Sequence, residues 1–305
     1  MSRLTEGLDV LTGDWDILAN GWTAVLVAVF LWWFSTGAIL IVVKRADRAD
    51  ARNPDRSAHL RATLFGLPLL ALGWFGFIQT LDQPSLMGVY LGFVSALLIW
   101  GWFELAFLCG VITGPNMTPS PPDVPAWERF VRAWGAIAYS EMALIATMIA
   151  VIALAWDAPN AFGMWTFAIL FFARISAKLN LYLGVPNVNV DFLPEPMRHL
   201  ESHFKIAPMN AFFPISVTAL SFAVGCWIER MLAQEAGAPS EIGFALLAAL
   251  SALALLEHWL MVLPLPDAKL WSWLLPASRD EISREDADYT ARLEHAYLRE
   301  ERNEL

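Results

Sequence analysis

Six ionisable side chains lie inside long apolar runs: Glu104, Glu141, Arg174, Lys178, Glu257 and His258, with Asn180 beside them. A charge within a run of about 20 apolar residues costs several kcal/mol in lipid and marks a site by default. Two kinds of chemistry fit the set. Three carboxylates and an imidazole can hold a divalent metal, His258 as neutral imidazole can ligate the magnesium of a chlorin, and Arg174 and Lys178 can grip an anionic group such as a propionate. Alternatively, the glutamates pair with Arg174 and Lys178 and fix how the helices pack. Neither Glu-x-x-His nor His-Glu-x-x-His occurs, so no metal site is assigned.

A second group falls in a long connection, 184–208. Asn187, Asn189, Glu195, Arg198, His199 and His203 lie in it, with Asn210 just beyond. Gly184-Val185-Pro186 should end the preceding helix, and asparagines suit turns. Residues 195–204 read as a short helix with His199 and His203 on one face at i, i+4. That spacing permits metal binding, although solvated histidines produce it equally well. Connections of this length are more often functional than ordinary ones.

The elements that must position these groups are membrane spans. The 305 residues are 57% hydrophobic and 16% charged, against about 25% charged in soluble proteins, and the apolar residues come as unbroken stretches. The fold class is all-α: a polytopic membrane protein with seven transmembrane helices at about 21–44, 62–80, 86–113, 132–156, 161–183, 209–232 and 240–264. They form one domain over 21–275, between an acidic segment at 1–20 and a charged tail helix at 276–305. Cys109 and Cys226 lie within spans, so no disulfide framework is expected. The net charge of −10 argues against nucleic acid as a partner. No basic segment leads into a short apolar core and cleavage site, so the first span is expected to direct insertion.

Orientation follows from the basic residues. With the amino terminus outside, only Arg3 and Arg230 of the 20 lysines and arginines face outward. The positive-inside rule therefore predicts a periplasmic amino terminus and a cytoplasmic carboxyl terminus. At 1.5 Å per residue, the intramembrane polar groups then share one layer about 9–15 Å above the cytoplasmic face. Trp32, Trp33, Trp74, Trp100, Trp102 and Trp259 sit deeper than an interfacial belt requires. They either pack against helices or line a large flat ligand.

Several strings resemble a known family: LWWFSTG (31–37), WGWFELAFLCGVITGP (100–115), ARISAKLNLYLGVPNVNVDFLPEPMRHLESHF (173–204), APMNAFFPISVT (207–218) and LLEHWLMVLPLPDAKLWSW (255–273). They are similar to the PuhE family, photosynthetic complex assembly proteins of purple bacteria and related phototrophs. The longest strings fall in connections and polar spans rather than in generic apolar sequence. The resemblance implies a multi-pass protein of the bacterial inner, or intracytoplasmic, membrane. Such a protein supports formation of the reaction centre–light-harvesting complex or its bacteriochlorophyll supply. The implied partners are reaction-centre or light-harvesting subunits and other assembly factors, and the implied cofactor is bacteriochlorophyll or a precursor. No enzymatic reaction comes with the resemblance. The family pattern has a histidine just before the glutamate of the fourth helix, where this chain has Ser140, which weakens a metal or chlorin site built on that pair. The competing function is a membrane enzyme or a pigment- or metal-binding protein with a polar pocket in the cytoplasmic leaflet.

Overall fold

A computed structural model describes residues 17–52, 57–121, 123–188, 190 and 193–263. Residues 1–16, Asn189 and the expected tail helix at 276–305 lie outside the described residues. The helices are α1 (Gly21–Arg52), α2 (Ser57–Phe65), α3 (Leu67–Thr80), α4 (Leu86–Leu108), α5 (Ala126–Ala155), α6 (Phe162–Leu183), α7 (Phe213–Leu232) and α8 (Pro239–Leu260). A 3₁₀ helix, Glu195–His203, lies between α6 and α7. Among the described residues there is no strand, only an isolated bridge between Val185 and Ile206. Seven spans are long and apolar enough to cross a membrane, with α2 and α3 together making one of them.

Local sequence explains the boundaries. Pro68 cannot donate to the helix ladder, so the second span breaks at Gly66 between α2 and α3. The Trp102 indole of α4 donates to the Thr63 carbonyl at 3.1 Å beside that break. Ser85 caps α4, its hydroxyl accepting from the Gly88 amide at 3.2 Å. The first helix continues past Lys44, where the apolar run stops, to Arg52. An extension past Lys44 that buries Ala46 needs no apolar run.

α4 is the shared wall of the bundle. One side packs Val89, Tyr90 and Phe93 against Ala24 and Ala28 of α1 and Ile242, Ala245, Leu246 and Ala249 of α8. The other packs Ala96 and Ile99 against Phe77, Leu144, Met148, Phe167 and Phe171 of α3, α5 and α6. In lipid there is no hydrophobic drive between helices, so close packing of small residues carries association. α7 leaves Ile215, Phe222 and Leu232 exposed, a surface suited to lipid.

At the end with the long connections, the chain between α4 and α5 docks into a helix. The amides of Asn116 and Ser140 donate to the carbonyls of Gly135 and Thr113 at 3.1 and 2.9 Å. The Asn116 side chain donates to the Arg132 carbonyl at 3.0 Å. Gly114 permits this approach, because a methyl group there would occupy the place of the Gly135 carbonyl oxygen. The insertion sits one turn from Glu141 and fixes the helix that carries it.

Candidate functional site

α6 supplies two cations one turn apart, Arg174 and Lys178, and two neighbouring helices answer them with carboxylates. The Arg174 Nη1 donates to Glu104 of α4. Its Nε faces Glu141 of α5 at 3.4 Å and its Nη2 faces the Ser140 hydroxyl at 3.4 Å. Lys178 Nζ donates to Glu141 at 2.5 Å. The Phe107 ring lies beneath both cations, 4.6 Å from the guanidinium carbon and 4.1 Å from the ammonium nitrogen. Two positive and two negative groups thus balance within the bundle. All three guanidinium nitrogens already have acceptors, so the arrangement does not aim Arg174 at an external anion.

The rest of the layer divides. Asn180, fully buried, donates to the Ser216 hydroxyl of α7 at 2.9 Å and to the Ser176 carbonyl at 3.0 Å. His258 is buried, with Nδ1 2.8 Å from the Ala254 carbonyl and Nε2 2.9 Å from the Ser176 hydroxyl. A carbonyl only accepts, so Nδ1 carries the proton and Nε2 accepts from Ser176. Glu257, the next residue, turns the other way and accepts from the Trp32 indole at 3.0 Å. Glu257, Glu104 and Arg174 line a cavity of about 250 Å³ between α1, α4, α6 and α8, walled by Trp32 and Trp100. Glu141 and Lys178 instead border a smaller apolar groove with Phe130, Ile175 and Tyr182.

These positions do not fit a chlorin or a metal. Both His258 ring nitrogens are engaged, and about 250 Å³ falls below the roughly 300–1,000 Å³ of pockets that enclose drug-sized ligands. Among the described residues, no group of three or more His, Cys, Asp or Glu is placed to hold a metal ion.

In the long connection the asparagines are stitches. The Asn210 amide donates to the Gly184 carbonyl at 2.8 Å and to Asn180 Oδ1 at 3.1 Å. Its oxygen accepts from the Phe212 and Phe213 amides at 2.9 and 3.1 Å. Asn187 donates to the Leu263 carbonyl at 2.8 Å, and its backbone amide to Met261 at 3.0 Å. Gly184, at φ +124°, ends α6 in a conformation that side chains with a Cβ rarely adopt. Arg129 ties the connection to α5, donating to the carbonyls of Tyr182 and His203 at 2.9 and 3.1 Å.

The expectation of His199 and His203 on one helical face is corrected. The element is a 3₁₀ helix with about three residues per turn, so positions four apart diverge. His199 lines a cavity with Asp47 and Asp50, and His203 lies near His199 with Arg129 and Arg132 beyond. Neither is solvated: both are buried, and burial pushes each imidazole below its ordinary range. Glu195 and Arg198 pair with each other at 3.0 Å on the exposed side, a contact worth little.

No linear spacing marks Ser176 and Phe107 as partners of the layer. For Trp32 there was one signal, its depth below the interfacial belt.

Seven helical spans long and apolar enough to cross a membrane, three of them joined by buried ion pairs, define a polytopic membrane protein. The chain belongs to the family described as "Protein of unknown function (DUF3623)", whose model matches residues 18–282. It is 52% identical over 262 residues to the "Uncharacterized 30.4 kDa protein in puhA 5'region" of Rhodobacter capsulatus, covering 86% of this chain and 93% of that relative. No solved structure gives a significant match.

Proposed function

We propose that this protein is a non-enzymatic assembly factor of the bacterial inner membrane, serving formation of the photosynthetic reaction centre–light-harvesting complex as a PuhE-type protein. The observation that carries this reading is the relative, 52% identical along nearly its whole length and named for its place in the puhA 5' region. The polar layer supports it: its cations and carboxylates are bonded to one another, as a scaffold requires and a catalytic centre does not. The distribution of basic residues supports a periplasmic amino terminus, and with that orientation the layer belongs to the cytoplasmic half of the membrane. The exposed apolar faces of α1, with Phe30 stacked on Phe34 at 5.8 Å, and of α7 offer surface to complex subunits as well as to lipid.

A second reading rests on Glu257. This carboxylate is exposed to the cavity, and its balancing contact is a neutral indole rather than a cation. A cavity that receives a small ligand would use it.

The test of the assembly reading is crosslinking in membranes of the phototrophic bacterium, followed by affinity purification of the tagged protein. Reaction-centre or light-harvesting subunits should be recovered from cells assembling complexes. Their absence at every stage of assembly would overturn the proposal.

A further inference from the structure

Glu257 and His258 are adjacent in α8, and the fold treats them differently. His258 is buried, with both ring nitrogens bonded, to the Ala254 carbonyl and the Ser176 hydroxyl. Glu257 is exposed and lines the cavity of about 250 Å³ between α1, α4, α6 and α8. Among the described residues its polar contact is the Trp32 indole, which donates to Oε1 at 3.0 Å. An indole N–H carries no charge, so it satisfies one lone pair and leaves the carboxylate's charge unbalanced.

Two other charged groups line the cavity, Glu104 and Arg174. Both belong to the neutral set completed by Glu141 and Lys178, in which each cation meets a carboxylate. The three guanidinium nitrogens of Arg174 are directed to Glu104, Glu141 and Ser140, so its donors are used within that set. Two carboxylates against one guanidinium leave the lining with one surplus negative charge, and it resides on Glu257. A charge without a counter-ion in a membrane span costs several kcal/mol, and a positive group entering the cavity would remove that cost.

The walls define the body of such a group. Most of the lining is apolar, with Leu97, Ile169 and Leu253 beside the indoles of Trp32 and Trp100. Among the described residues no group of three or more His, Cys, Asp or Glu is placed to hold a metal ion. Indole rings attract cations through their electron-rich faces. One wall already does so, since the Arg174 guanidinium carbon lies 5.8 Å from the Trp100 ring centroid. The volume lies below the roughly 300–1,000 Å³ of pockets for drug-sized ligands, which restricts the occupant to a small one.

We propose that this cavity binds a small organic cation, an ammonium with an apolar body, whose charge pairs with Glu257 and whose body packs against Trp32 and Trp100. The inference rests on the second reading of the cavity given above and is separate from the assembly role.

The experiment uses the full-length protein in nanodiscs with radiolabelled benzyltrimethylammonium, and protein-free nanodiscs of the same lipid as background. Saturable binding above background is expected, displaced by the unlabelled cation and not by benzenesulfonate. Neopentylbenzene, the uncharged isostere, should compete about tenfold more weakly or worse. Glu257→Gln keeps the shape of the side chain and should weaken binding by about tenfold or more. Its melting temperature should be unchanged or higher, because the substitution removes an unbalanced charge. Gly101→Val gives a second variant that retains the carboxylate. Gly101 lines the cavity, and a Cβ there would stand 3.8 Å from Ile39, an ordinary contact, so the added side chain narrows the space without a clash at its first atom. It should also weaken binding. Equal competition by neopentylbenzene, or unchanged binding in Glu257→Gln, would overturn the cation proposal while leaving a cavity that takes a small ligand. No saturable binding above background would overturn both the proposal and that second reading.

Discussion

Lys178 of α6 and Glu141 of α5 meet at 2.5 Å inside the bundle, and Glu141 is also the carboxylate that Arg174 approaches at 3.4 Å. The Glu141 side chain is only 5% exposed, so its charge depends on these two partners. Breaking a buried pair by removing one member costs about 3–5 kcal/mol, whereas replacing both by apolar groups of similar size is often neutral. Lys178→Met and Glu141→Leu should each lower the melting temperature strongly. The double variant should be more stable than either single variant. A double variant that loses the sum of the two single effects would show that the pair is not coupled.

Gly114 and Gly225 make a matched comparison. A methyl at Gly114 collides with the Gly135 carbonyl, but at Gly225 nothing lies within 4 Å. Gly114→Ala should destabilise by about 1–3 kcal/mol, the usual range for overpacking. Gly225→Ala in α7 should be neutral or stabilise by up to about 1 kcal/mol through helix propensity. Thermal unfolding of the two variants beside the parent reads the difference.

His199 and His203 make stability depend on pH. Burial lowers both folded-state values below the unfolded value of about 6.5. Their contribution is therefore fully present above that value and is lost as pH falls through it toward the folded values, because the unfolded chain takes up protons first. Melting temperature should be flat from about pH 7.5 to 7 and fall below about 6.5. His203→Gln should flatten part of the slope even if it lowers the plateau. Arg129 and Arg132 face His203 and add to the same trend.

The seven spans were legible because each exceeds the length needed to cross hydrocarbon, and composition reports that directly. The polar layer was legible for a related reason: with a fixed rise per residue, distance from a span's end becomes depth. The pairing of Glu104 and Glu141 with Arg174 and Lys178 stood as one of two alternatives, and helix rotation decides between them. Rotation also separates adjacent Glu257 and His258, sending one to Trp32 and the other to Ser176. No linear spacing encodes that. The cavity lined by Asp47, His59, Glu195 and His199 was hidden for a different reason. Asp47 belongs to a continuation of α1 beyond its apolar run, and Glu195 and His199 come from a 3₁₀ helix within the long connection.

Deletion of the gene in a phototrophic bacterium that carries it, followed by quantitation of assembled reaction centre–light-harvesting complex from membrane absorption, bears most directly on the proposed assembly role. The expected result is a several-fold loss of complex that both the wild-type gene and a Glu257→Ala gene restore, since a scaffold does not need that carboxylate. Restoration by the wild type alone would move the function to the cavity beside Trp32. Unchanged complex in the deletion strain would contradict the assembly role.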